Sequence, residues 1–413
     1  MTEEREGTPP DPGRARAVWV VGPGFRFLSG LSVYTCRLAN ALAAEHDVSV
    51  VSLRKLIPAW LYPGGARTGQ DLTSLRYSDD VRLGGEIDWY WGGQLRRTVD
   101  RLRRERPDVL VLQWWTAATM HTYLVLARAA RRAGVPVVIE FHEIQDTGEA
   151  SVPLLARYCR RLMPALLALA SGALVHNRHD LGLLRRTYGD VVERLAVEIA
   201  PHGPYDHLPT TADPAPATRT HLAPEPGPQP GPHPDSGDTT RLLFFGLIRP
   251  YKGLEDLVEA FNTLTPEQAR AFTLTVVGET WEGWTRPAEL IAASPHPERI
   301  AFVNRYVSDA EAGGFFGRAD ALVLPYRRGS ASGPLQIAMS VGLHVLLYEV
   351  GGLVEAVEDY KGAVLVPPGD VAALRAALLE LPLRRALRYP DPHSWAATAA
   401  ALTRLTETVA ATR

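Results

Sequence analysis

Lysine is nearly missing from this chain of 413 residues: Lys55, Lys252 and Lys361 are the only three among 44 basic side chains. Cysteine is scarcer still, with Cys36 and Cys159 far apart, which excludes a disulfide framework and a cysteine-rich zinc site by number alone. Two reduced, buried thiols are expected. Long apolar runs are absent too. The longest, "LMPALLALASGALV" at 162–175, falls short of the roughly 20 residues a membrane-spanning helix needs. The start, "MTEEREGTPPDPGRARAVWVV", lacks the basic region and apolar core of a secretory leader, so a cytoplasmic protein is expected. Charge of one sign is lacking as well. Residues 1–205 carry 26 Lys/Arg against 22 Asp/Glu and the whole chain has a formal charge of −2, too even for a nucleic-acid binder, which needs a concentrated basic surface.

What the chain does contain is alternation. "AVWVVG" (17–22) precedes the helical pattern "SVYTCRLANALAAE", and "HDVSVVSL" (46–53) follows it. "DVLVLQWW" (108–115) then leads through "HTYLVLARAARRAG" to "VPVVIEFH" (135–142). Val/Ile-rich runs separated by helical patterns are the mark of βαβ units in a parallel sheet. The pattern lapses over 206–240, where Pro, Gly and small polar residues leave almost nothing to bury, and we read a linker there. It resumes in "RLLFFG", "FTLTVVG" (272–278), "IAFVNRYV" (300–307), "ADALVLPY" (319–326), "HVLLYEV" (344–350) and "GAVLVPP" (362–368), with a last helix from about Ser394.

The expected fold is therefore α/β: two doubly wound, Rossmann-like parallel-sheet domains facing across a cleft. The divisions are 16–205, a linker over 206–240, a second domain over 241–392, and a terminal helix over 393–413 that crosses back to the first domain. Ligands of such sheets bind beyond the carboxyl ends of the strands, so the residues just after each apolar run are the candidates.

In "FFGLIRPYKGLEDLVEAF" (244–261), Gly246 ends a strand and a helix begins near Gly253, with Arg249 and Lys252 between them. A planar guanidinium fork and a compact ammonium beside a helix N-terminus suit a diphosphate. The alternative is a surface turn in which those cations pair with Glu255 or Asp256. In "VVGPGFRFLSGLS", position 27 is Phe27 where a dinucleotide fingerprint needs a third glycine, so an NAD site is a poor fit. His142 follows "VVIEF" at a strand end; "HEIQD" is no zinc helix, because Asp146 stands where a second histidine would be.

Taken together, "FFGLIRPYKGLEDLVEAF" and "VLPYRRGSASGPLQIAMSVGLHVLLYEVGGLVEAV" resemble the donor-binding half of a GT-B glycosyltransferase of the retaining family 4 (group 1) type. The front half agrees. "PGFRFLSGLSVYTCRLANALA" is similar to the family's glycine loop and first helix, "VVIEFHE" to its histidine-bearing strand end, and "IAPHGPYD", with His202 and Gly203, to its HG turn.

The resemblance implies a nucleoside diphosphate sugar as co-substrate, no other cofactor and no metal, in keeping with the lack of any Asp-x-Asp motif. Lys252, Arg249, Gly246 and Gly30 would hold the diphosphate, and His142 would face the sugar. Ser330, Ser332, Gly333 and the Leu335 N–H would contact sugar and nucleotide, because Gly329 and Ile337 stand where many relatives carry two glutamates. Leu247 likewise replaces a common arginine. Glu143, Trp114 and Trp115 are candidates on the side of the acceptor, a glycan, a lipid-linked molecule or a small molecule; the alternatives are core or loop packing for the tryptophans and a solvated loop charge for Glu143. The basic runs "LRRTVDRLRRERP" and "RYCRRLMPALL" suit either a solvated face or contact with an anionic membrane surface. Three other readings stay open: a nucleotide-sugar epimerase, a glycosyl phosphorylase, and a catalytically weak partner subunit that binds nucleotide sugar. Oligomeric state is not legible.

Overall fold

A computed structural model of the chain describes residues 15–24, 30–55, 75–88, 92–144, 153–208, 239–281, 283–329, 331–384 and 387–411. The greater part of the 206–240 linker, the aromatic run at 57–62, the acidic residues Asp146 and Glu149, and Ser330 lie outside them. The chain forms two compact units: the first takes in residues up to Gly203, apart from Leu72–Ser74, together with Ser394–Arg413, and the second takes in Pro204–His393.

The first unit is built on a seven-stranded sheet. Its strands are β1 (Ala17–Pro23), β2 (Asp47–Lys55), β3 (Arg82–Asp88), β4 (Val109–Trp114), β5 (Val137–Phe141), β6 (Gly172–Val175) and β7 (Ala196–Ile199), in the order β3-β2-β1-β4-β5-β6-β7. Every pairing is parallel, and β1, β4, β5 and β6 are almost wholly buried, as expected of strands with helices on both faces. The terminal helix Trp395–Ala411 belongs here. Leu402, Leu405 and Val409 pack in one core with Tyr34, Val18 and Leu174, and a Cβ on Gly172 would stand only 3.0 Å from Val409 Cγ1. Cys36 and Cys159 are both free and buried.

The second unit has six parallel strands, β8 (Thr240–Phe245), β9 (Phe272–Val277), β10 (Ile300–Val303), β11 (Ala321–Leu324), β12 (His344–Tyr348) and β13 (Ala363–Val366), ordered β10-β9-β8-β11-β12-β13. In each sheet the strand order reverses once, between β1 and β4 and between β8 and β11. Loops leaving the two strands at a reversal diverge and open a crevice at their carboxyl ends. Among the described residues no helix is long and apolar enough to cross a membrane.

Candidate functional site

In the second unit the crevice lies beyond β8 and β11. Gly246 follows β8 directly, with φ 116°, a conformation that favours glycine. The chain then makes a short 3₁₀ turn over Pro250–Lys252, passes through Gly253 at φ 61°, and enters the helix Leu254–Asn262. A Cβ on Gly253 would fall 2.1 Å from the Pro325 carbonyl oxygen, so the turn can approach the loop after β11 only with glycine there.

That approach seats Lys252. Its Nζ lies 4.9 Å from the centroid of the buried Tyr326 ring and 3.2 Å from where a Cβ on Gly246 would be. The same imaginary Cβ would be 3.4 Å from Pro334, in the first turn of the helix Gly333–Val341. An ammonium and the positive end of a nine-residue helix thus converge at the strand-order reversal, an arrangement suited to an anion.

The first-turn carboxylates have a partner far along the chain. Arg327 donates to Glu255 Oε1 at 2.8 Å and to Asp256 Oδ1 at 2.6 Å, and the Tyr348 hydroxyl donates to Asp256 Oδ2 at 3.1 Å. Arg249 stacks its guanidinium 4.7 Å over the Trp281 ring.

One expectation needs correction. Leu335 is fully buried and its N–H goes to the Ser332 side chain, the helix cap, at 3.4 Å. With Pro334 lacking an N–H, Gly333 is left as the backbone donor among the first three helical residues. Ile337 is nine-tenths buried and Gly329 has no side chain, so no carboxylate stands at either place.

In the first unit, Gly30 opens the helix Gly30–Leu42, whose Ser32 hydroxyl donates to the Gly24 carbonyl at 3.0 Å; the loop residues 25–29 lie outside the described set. Beneath the turn runs a buried polar chain that the sequence reading missed. The Tyr34 hydroxyl donates to Glu140 Oε1 (2.6 Å), Gln113 Nε2 donates to Glu140 Oε2 (2.9 Å), and the Thr35 hydroxyl donates to Gln113 Oε1 (2.6 Å). A Cβ on Gly22 would lie 2.0 Å from Gln113 Oε1, which explains glycine at the end of β1.

Against the Tyr34 ring pack three buried imidazoles, His142, His176 and His202, with centroids at 4.6, 5.2 and 4.7 Å. Their ligand atoms lie within 4.8 Å of one another. His202 belongs to the HG turn, where a Cβ on Gly203 would fall 2.4 Å from the Trp395 ring. His176 was not anticipated, although it too follows a short apolar strand directly.

The acceptor-side candidates do not assemble alike. Trp114 is 2% exposed and sits in the core beside Tyr123, so its ring faces are covered by protein and cannot stack on a sugar. Trp115 is half-buried against the same core, and Glu143 is half-buried next to His142.

Burial sets the charge states. It pushes the Glu140 carboxyl up to about 7 against the opposing hydrogen bonds from Tyr34 and Gln113. It lowers His176 to about 4 despite the hydrogen bond to Ala200, and lowers His142 well below the usual histidine value, with His176 adding to the effect. The stability contributed by the two neutral histidines is complete above about pH 6.5 and is lost as pH falls, for His176 through about 4. Glu140 acts oppositely. Its contribution is full below about pH 4.5 and is lost as pH rises through 7. The melting temperature is therefore expected to peak near pH 6–7. Glu140→Gln should flatten the alkaline limb between pH 5 and 8 while leaving the acid limb in place, as thermal melts across pH would read.

Comparison with known proteins decides the family. The family model described as "Glycosyl transferase 4-like domain" matches residues 29–203, and "Glycosyl transferases group 1" matches residues 239–382. This chain is a group 1 glycosyltransferase of the GT-B fold. It is 32% identical over 180 residues to the D-inositol 3-phosphate glycosyltransferase 2 of Catenulispora acidiphila, covering 40% of this chain and 42% of that one. It is 32% identical over 154 residues to the GDP-mannose:glycolipid 4-beta-D-mannosyltransferase of Xanthomonas campestris pv. campestris, covering 37% and 43%. These matches span only about two fifths of the length of each relative. In fold it is similar to Anabaena HepE in complex with UDP-glucose, with a TM-score of 0.54, 15% identity, and 96% and 99% of the two chains covered.

Proposed function

We propose that this glycosyltransferase moves a sugar from a nucleoside diphosphate sugar to an acceptor hydroxyl, with retention of anomeric configuration and without a metal ion. The observation that carries the reading is the seat of Lys252: an ammonium held over Tyr326, against Gly246 and beside the start of the helix Gly333–Val341. In the reaction the bond from the sugar's anomeric carbon to the diphosphate oxygen breaks and a bond to the acceptor oxygen forms. The acceptor's proton leaves with the departing diphosphate. Negative charge grows on that diphosphate in the transition state, and a fixed cation with a helix N-terminus stabilises it without reorganising. The same pair fills the place a divalent ion would take, and it supports metal independence together with the missing Asp-x-Asp motif. His142, at the end of β5, is assigned to the sugar. A glycan, lipid-linked or small hydroxylated molecule is the acceptor.

The relatives' names supply the probes. Incubation with UDP-glucose and with GDP-mannose, with and without a mixed acceptor panel, is expected to release UDP or GDP only when an acceptor is present. Excess EDTA should leave the rate unchanged, and NMR of the product should show the donor's anomeric configuration. Isomerised donor without acceptor, or turnover that needs inorganic phosphate, would overturn the reading in favour of an epimerase or a phosphorylase.

A further inference from the structure

We propose that His176 is a positioning residue that fixes the tautomer of His142, leaving His142 Nε2 as a built-in acceptor that takes a hydroxyl of the bound sugar and refuses a carboxylate or phosphate oxygen. The sugar part rests on the function proposed above; the tautomer part does not.

The arrangement follows from strand register. Phe141 of β5 pairs with Val175 of β6, and Val175 pairs with Ile199 of β7. The next residues on the three strands, His142, His176 and Ala200, therefore emerge side by side. The backbone holds them there, since His142 N–H donates to the Trp114 carbonyl and Ala200 N–H to the Val175 carbonyl, both at 2.9 Å.

The side chains then form a directional chain. His176 Nδ1 lies 2.9 Å from the Ala200 carbonyl oxygen. A carbonyl only accepts, so Nδ1 carries the proton, and the neutral ring has a bare lone pair on Nε2. That Nε2 lies 3.0 Å from His142 Nδ1, which must therefore donate. The second neutral ring in turn has its lone pair on Nε2. This atom is buried, on a residue only 3% exposed, and has no hydrogen-bond partner among the described residues. A buried acceptor left unmatched costs about 1–3 kcal/mol, so a ligand that brings an O–H to it gains that back. A ligand oxygen without a proton would set two lone pairs against each other.

The three histidines also have the composition of a metal site. Both ring nitrogens of His176 are already engaged, Nδ1 with the Ala200 carbonyl and Nε2 with His142 Nδ1, so its binding to a metal ion would have to displace one of these hydrogen bonds. The tilt of 32° between the His142 and His176 rings keeps them close to the shared plane such a bond favours.

The test uses the full chain labelled with ¹⁵N-histidine, read by long-range proton–nitrogen correlation at pH 7.5, with His142 assigned by the loss of its signals in His142→Asn. His142 is expected to carry its proton on Nδ1. His176→Gln should keep that tautomer, because its amide can donate to Ala200 and its oxygen can accept from His142, whereas His176→Phe should lose it. Transfer from UDP-glucose or GDP-mannose, whichever is turned over, should fall about tenfold or more in kcat for the Phe variant and recover in the Gln variant. A wild-type His142 protonated on Nε2 would overturn the proposal. So would a well-folded Phe variant with unchanged tautomer and rate, or stoichiometric cobalt(II) binding that shifts all three rings. If neither donor is turned over, the function proposed above fails while the tautomer readout still decides this inference.

Discussion

Lys252→Ala is expected to lower transfer from the nucleotide sugar by about 10²–10³-fold, the loss typical of removing one preorganised charge from the place where an oxyanion develops. The helix Gly333–Val341 would remain, so the site would keep the helix's positive potential and lose the full charge beside it. Arg249→Ala should cost much less, because the Arg249 guanidinium is committed to the Trp281 face. Lys252→Arg should restore little. A guanidinium is a wider planar fork than the compact ammonium and presents its charge differently to the diphosphate. Steady-state kinetics with calorimetric donor binding would measure the three variants. Equal losses for Lys252→Ala and Arg249→Ala would show that both cations grip the diphosphate, and an unimpaired Lys252→Ala would remove the basis of the proposed donor site.

The strand, turn and helix around Lys252 were legible in sequence because their signals are local: an apolar run, a glycine and an amphipathic helix within eighteen residues. The strands that the apolar runs announced were found for the same reason. β3, β6 and β7 were not. β3, "RLGGEID", is an edge strand with Leu83 66% exposed and no alternation to read. β6 is four residues at the tail of the apolar run 162–175, whose earlier part is helical, so periodicity could not divide strand from helix. That hid His176, which follows directly on this strand. β7, "AVEI", is only half-buried and too short to register as an apolar run. Glu140 was hidden differently. It lies inside the run "VVIEF", and only the register of β4 against β5, which sets Gln113 beside Glu140, shows what a carboxyl there is bonded to. For Trp114 the sequence left sugar stacking and core packing both open, because a tryptophan at a strand end can point to ligand or to core, and the face it takes depends on helices distant in sequence.

The second large effect is expected at Arg327, which no local pattern announced because its partners lie 71 and 72 residues away. Glu255 and Asp256 are 7% and 5% exposed, and Arg327 is the cation that faces both. Arg327→Leu would leave two buried carboxylates in the first turn of the helix Leu254–Asn262, with the helix dipole and the Tyr348 hydroxyl as partial compensation. Removing one member of a buried pair costs about 3–5 kcal/mol. The Arg327 side chain is 43% exposed, so solvent screening brings the expected loss nearer 2 kcal/mol. In a unit of this size that corresponds to a melting temperature lower by about 4–8 °C. Neutralising the carboxylates in the same chain, as Arg327→Leu with Glu255→Gln and Asp256→Asn, should recover most of the stability, since it is the orphaned charge that destabilises. It should not recover transfer. Arg327 also joins the loops after β8 and β11, its N–H donating to the Tyr251 carbonyl at 2.8 Å, next to Lys252 on one side and Tyr326 on the other. The side-chain clamp onto Glu255 and Asp256 keeps that junction still. With the clamp gone, the ammonium's seat over Tyr326 loosens even when the fold is restored, and kcat should stay depressed in the triple variant while its melt returns toward wild type. Full recovery of both would show that Arg327 serves stability alone.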